Sequence, residues 1–170
     1  ADLSGILNGC DYSQWNPATD AYLPENYSVD NLQPKRVCKT TLQTRSGLPK
    51  NASVPLIGMV CRLTEQKGFG YILPILDDLV QHNLQIVIVG TGDPKVCMDL
   101  GEFAQQPPTQ FAFINGFSSE HAHLVEAGAD FFLMPSQFEP CGLNQMYSLA
   151  YGTVPIVRAV GGLKDTVVDL

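Results

Sequence analysis

The chain has 170 residues, 45% of them hydrophobic and 16% charged, which is ordinary usage for one folded domain and excludes a disordered segment. Its net charge of -7 offers no electrostatic hold on a polyphosphate backbone, so no nucleic acid partner is expected. No apolar run is long enough to span a bilayer and no charged-then-apolar stretch reads as a signal peptide, so no membrane partner is expected either.

In chain order, residues 1–50 read as a connecting segment that ends in a short helix. The start at Ala1 rather than Met reads as a processed or excised piece. Asn8 to Asn31 is rich in Asn, Asp, Tyr and Pro and suits irregular structure, and a helix is expected from about Pro34 with Gly47 as its stop. Residues 51–170 then alternate short β-branched runs with longer amphipathic stretches, the pattern of βαβ units and a parallel sheet. The expected strands are Pro55 to Val60, Gln85 to Val89, Phe111 to Ile114, Asp130 to Met134 and Val154 to Val157. After the first, Phe69, Ile72, Leu73, Leu76 and Leu79 fall at helical spacing, with a break or kink expected at Pro74. After the fourth, Leu143, Met146, Tyr147 and Ala150 form one apolar stripe, and Asp165 to Leu170 reads as a truncated last helix. Right-handed crossovers make this a doubly wound, Rossmann-like α/β fold.

The five cysteines are odd in number, widely spaced and lack a CxxC pair, which argues against a disulfide framework or a zinc site and favours a reducing compartment. His121 and His123 are two positions apart, so on a helix they diverge rather than converge on a metal; both read as solvated helix residues.

In an open parallel sheet, ligands bind beyond the carboxyl ends of the strands. Those ends carry CRLTEQKG with Arg62 and Lys67, GTGDPK with Gly90 and Gly92, NGF with Gly116 and Phe117, PSQFEPCGLNQ with Glu139, and RAVGGL with Arg158, Gly161 and Gly162. Arg62 and Lys67 stand in one turn closed by Gly68, so both heads reach the same phosphates, Arg as a planar fork and Lys as a point charge. Alternatively both are surface charges at a helix start. Glu139 precedes a helix start at Leu143 and Asn144, whose free amides suit an anion, and its carboxylate suits sugar hydroxyls; the plainer reading is a helix-terminal acid. Phe117 either stacks on a base or fills core. GTGDPK lacks a third glycine and follows the second strand, so a dinucleotide fingerprint is weak, and nothing fits a P-loop.

The segments GILNGCDYSQWNPATD, CRLTEQKG and ADFFLMPSQFEPCGLNQMYSLAYGTVPIVRAVGGLKDTV closely resemble the glycogen and starch synthase family over nearly the whole chain. The resemblance implies the C-terminal member of two facing Rossmann-like domains. It implies retaining transfer of glucose, usually from ADP-glucose, to the non-reducing end of an α-1,4-glucan, with no metal or other cofactor. By the same resemblance Arg62 and Lys67 bind the diphosphate, Glu139 holds glucose hydroxyls, Cys141, Gly142, Leu143 and Asn144 line sugar and phosphate, and Gly116 and Phe117 lie near the nucleotide. It also implies residence in the bacterial cytoplasm or the plastid stroma. Residues of an N-terminal domain are missing apart from a last strand around Gly5 to Asp11, so the piece alone is expected to bind but hardly to catalyse.

Several positions depart from the family pattern. Phe117 stands where Tyr is frequent, Cys61 where Ser is common and Asn144 where Thr is frequent. Tyr147 occupies the place of a second Glu in related retaining transferases, so no paired-carboxylate mechanism is inferred. Competing readings are another two-domain sugar transferase or epimerase, a non-catalytic nucleotide- or glycan-binding module, and, least supported, a nicotinamide dehydrogenase.

Overall fold

The computed structural model describes residues 4–107 and 110–169. Five parallel strands, β1 (Leu56–Val60), β2 (Gln85–Gly90), β3 (Phe111–Asn115), β4 (Phe131–Met134) and β5 (Val154–Val157), form one sheet in the order β3-β2-β1-β4-β5. The expected strands thus occur within a residue of their predicted ends. The reason is that runs such as IVIV in β2 are apolar on both faces, and all six residues of β2 are buried.

Alternate side chains feed two cores. Leu56, Val60, Val87, Val89 and Phe132 face one cluster, closed by helices α1 (Lys35–Arg45) and α5 (Ser119–Gly128). Met59, Ile86 and Ile88 face the other, closed by α2 (Phe69–Ile72), α3 (Leu76–Gln81) and α4 (Pro94–Phe103). Pro74 lies in a 3-10 turn, Leu73–Ile75, that separates α2 from α3, as expected of a residue that cannot donate within a helix. Helix α1 stops before Gly47, whose φ of 72° is the left-handed conformation of a helix end.

Four expectations need correction. Residues 4–11 contain no strand. The last helix, α7 (Gly161–Thr166), starts earlier than predicted and is followed by extended Val167; Leu170 lies outside the described residues. A Cβ at Gly161 would stand 2.1 Å from the Glu139 carbonyl oxygen, so the glycine that read as loop is the site where the helix start meets the β4 loop. Helix α6 (Asn144–Ala150) does not bury the stripe assigned to it: its buried members are Gln145 and Ser148, and Leu143, its N-cap, is partly exposed. Finally, His123 is buried rather than solvated, with Nδ1 2.7 Å from Asp20 Oδ2 and its ring stacked on Trp15. The irregular segment folds back over α5 to make these contacts, and the Tyr27 hydroxyl donates to the Tyr151 carbonyl in the same core. Helical spacing is blind to a cover that comes from so far away in the chain.

Candidate functional site

After β1 the chain moves to one side of the sheet, to β2 and β3, and it later returns to pair β4 on the other side of β1. This reversal opens a crevice between the loops that follow β1 and β4. The two loops are tied together there: Gln137 N–H donates to the Gln66 carbonyl at 2.8 Å, and Gln66 Nε2 donates to the Phe138 carbonyl at 3.0 Å. Arg62, Lys67, Glu139, Gly142, Leu143 and Asn144 all line a single cavity of about 300 Å³ at this point. Two cations, a carboxylate and the start of α6 are therefore brought together from loops more than seventy positions apart in the chain.

Within that cavity, Lys67 Nζ donates to Glu139 Oε2 at 2.5 Å, and Ser136 Oγ donates to the same oxygen at 3.2 Å. Glu139 is 8% exposed, so its charge is compensated by a specific partner rather than by water. Gly162 N–H donates to the Glu139 carbonyl, which fixes the backbone from α7. Arg62 is exposed and makes no ion pair among the described residues. Asn144 Nδ2 donates to the Val60 carbonyl at 2.8 Å and so pins α6 to the end of β1. No side chain caps α6.

A second cavity of about 320 Å³ shares Val60, Cys61, Arg62 and Asn144 with the first and continues to Phe117 and Tyr147. Phe117 is 69% exposed, which answers the choice left open for it: the ring is not core. Burial pushes the Cys61 thiol up to about 12, so it stays a neutral wall residue. Gly116 and Cys141 adjoin the cavities in the chain without lining either.

Other members of the predicted rim have structural tasks. A Cβ at Gly90 or Gly92 would lie 2.0 or 2.3 Å from the carbonyl oxygens of Cys61 and Leu63, so these glycines allow the β1 and β2 loops to touch. Arg158 donates to the Ser136 carbonyl at 3.0 Å and stacks over Tyr71, bracing the β4 loop from β5. Sequence reasoning passed over Trp15 and Glu126, which also line the second cavity. The signal for Glu126 was a lone acid inside the apolar run LVEAGA. Among the described residues no group of His, Cys, Asp and Glu is arranged to hold a metal ion, and no helix is long and apolar enough to cross a membrane.

A doubly wound parallel sheet with a cleft at its point of reversal defines a Rossmann-like domain. More specifically, residues 41–170 match the family model described as glycosyl transferases group 1, and the chain belongs to that family. It is 65% identical to a glycogen synthase of Aeromonas salmonicida over 169 residues, covering 99% of this chain and 35% of that protein. It is 60% identical to a glycogen synthase of Vibrio parahaemolyticus, again over 99% of this chain and 35% of the relative. Among solved structures, the catalytic domain of starch synthase IV from Arabidopsis thaliana bound to ADP and acarbose superposes with a TM-score of 0.91 at 36% identity, covering 98% of this chain and 34% of that one. The chain spans about a third of the length of the curated relatives it matches.

Proposed function

We propose that the chain is the donor-binding, C-terminal half of a glycogen synthase that transfers glucose from ADP-glucose to the non-reducing end of an α-1,4-glucan with retention. The observation that carries this reading is the single cleft shared by Arg62, Lys67, Glu139 and the first residues of α6. The identity to glycogen synthases and the likeness to a starch synthase bound to ADP support the choice of donor.

The ion pair between Lys67 and Glu139 gives each group a partner before a donor arrives. In this reading the donor replaces both partners at once. Its diphosphate takes the Lys67 ammonium and the Arg62 guanidinium, and its glucose hydroxyls donate to the freed Glu139 carboxylate. Diphosphate and sugar are thereby recognised as one unit. As the bond to glucose breaks, negative charge gathers on the departing ADP, and the two preplaced cations stabilise it. Phe117 offers its exposed face to the base, and Gly116, Cys141, Gly142, Leu143 and Asn144 supply the surrounding backbone. An N-terminal domain of the same enzyme closes over the cleft, excludes water and brings the glucan. Residence in the bacterial cytoplasm or plastid stroma accords with this role.

In the full-length enzyme, Lys67→Ala is expected to lower turnover of ADP-glucose by about 10²- to 10³-fold, the usual loss for one preplaced stabilising group. Turnover by the unaltered enzyme is expected to persist in a chelator. Unchanged turnover in Lys67→Ala contradicts the charge-stabilising role.

A further inference from the structure

Beneath the second cavity lies a carboxyl group that the donor reading leaves unused. Glu126, in α5, is 1% exposed, forms no ion pair among the described residues, and lines the same cavity as Arg62. Its surroundings can be counted proton by proton. Ser148 Oγ, in α6, lies 2.7 Å from Glu126 Oε2 and 2.8 Å from the Asn144 carbonyl oxygen. A serine hydroxyl has one hydrogen, and both neighbours are acceptors if the carboxyl is ionised. With a protonated carboxyl the count closes: Glu126 donates to Ser148, and Ser148 donates to Asn144. Lys35, the nearby cation in α1, directs its ammonium to the Ala127 carbonyl and the Thr153 hydroxyl instead.

We propose that Glu126 is a positioning residue that acts as a neutral carboxylic acid, donating through Ser148 to the Asn144 carbonyl so that the start of α6 is held beside the phosphate cleft. The inference rests on the donor-binding reading above. Asn144 is the residue on which this arrangement turns, since its side chain also grips the end of β1. The neutral state serves a second purpose. An ionised Glu126 would set a negative charge in the cavity wall it shares with Arg62 and compete with the diphosphate for that guanidinium.

Burial raises the carboxyl well above the ordinary carboxylate range, the Ser148 hydroxyl and Lys35 act against it, and Arg62 is the other cation in the cavity it lines. Cys10, Tyr27, Tyr147 and Tyr151 add no positive charge. Lys35 itself is lowered to about 8 by burial, so its support fades on the alkaline side.

The test is ADP affinity against pH in the full-length enzyme, for the unaltered protein, Glu126→Gln and Ser148→Ala. Gln donates to Ser148 at every pH. The unaltered enzyme is expected to bind ADP about five- to tenfold more weakly once Glu126 ionises, the value of about one hydrogen bond, and Glu126→Gln is expected to lack that alkaline loss. Ser148→Ala, which breaks the relay itself, is expected to be weaker at neutral pH and to show a flattened loss. Infrared difference spectra at neutral pH should show a carboxylic acid carbonyl band that disappears in Glu126→Gln. Superimposable pH curves for the unaltered enzyme and both variants, or an unchanged infrared band in Glu126→Gln, overturn the proposal. An enzyme that binds no ADP at any pH overturns the donor reading instead, and the infrared band still decides the state of Glu126.

Discussion

Glu126 and Glu139 are two buried acids in one molecule, and they solve the same problem in opposite ways. Glu139 is paired directly with a cation, Lys67, whereas the Glu126 carboxyl contacts the Ser148 hydroxyl and has Lys35 nearby but not in an ion pair. Desolvation therefore raises Glu126, which has a consequence for folding. A glutamate in the unfolded chain ionises near about 4.3. Above that pH the native state holds a proton that the unfolded state has released, so the stability contributed is full below the unfolded value and declines as pH rises toward the native one. Glu126→Gln, with no proton to lose, is expected to melt at a higher temperature than the unaltered protein at pH 7 and to lose the advantage below about pH 4. Parallel melting curves across that window contradict the assignment. At this scale Arg62, Lys67 and Glu139 were legible because each follows a strand end that periodicity identifies. Glu126 and His123 were not, because their partners, Ser148 and Asp20, come from distant parts of the chain.

Among the elements, strands were legible to within a residue because burial on both faces leaves continuous apolar runs. Of the helices that frame the cleft, α6 lies where the sequence placed it but its buried face was not legible, and α7 begins earlier than expected. Helix α6 buries Gln145 and Ser148, which satisfy neighbours in α5, α7 and the β4 loop, so an apolar stripe is the wrong signal for its inner face. Helix α7 begins on two glycines, a composition that ordinarily marks a loop, because its first turn lies against the backbone of Glu139 and Cys141. Gly161 has φ of 46° and no room for a Cβ. Gly161→Ala is therefore expected to destabilise the protein by about 1–3 kcal/mol through backbone strain and to weaken ADP binding by shifting the Glu139 loop. Chemical denaturation and a binding isotherm check both effects, and an unperturbed isotherm with full stability contradicts the bracing role of α7.

For the molecule as a whole, the cleft is a product of topology. Strand order β3-β2-β1-β4-β5 sets the β1 and β4 loops side by side, and no local pattern in either loop contains that fact. The prediction that Arg62, Lys67 and the backbone around Gly142 share a pocket came from the general rule for open parallel sheets, and the shared cavity has that composition. The irregular segment behaves differently. Trp15 stacks between His123 and Tyr147, and Asp20 accepts from the Tyr151 hydroxyl at 2.5 Å, so a stretch that read as a connector also covers the second cavity. The most direct measurement is a crystal structure of the full-length enzyme with ADP. The account predicts the diphosphate in the cleft, with Arg62 and Lys67 on its oxygens, the Lys67 to Glu139 contact broken and backbone amides at the start of α6 turned toward it. A diphosphate seated elsewhere on the sheet, with the Lys67 to Glu139 pair intact, would contradict it.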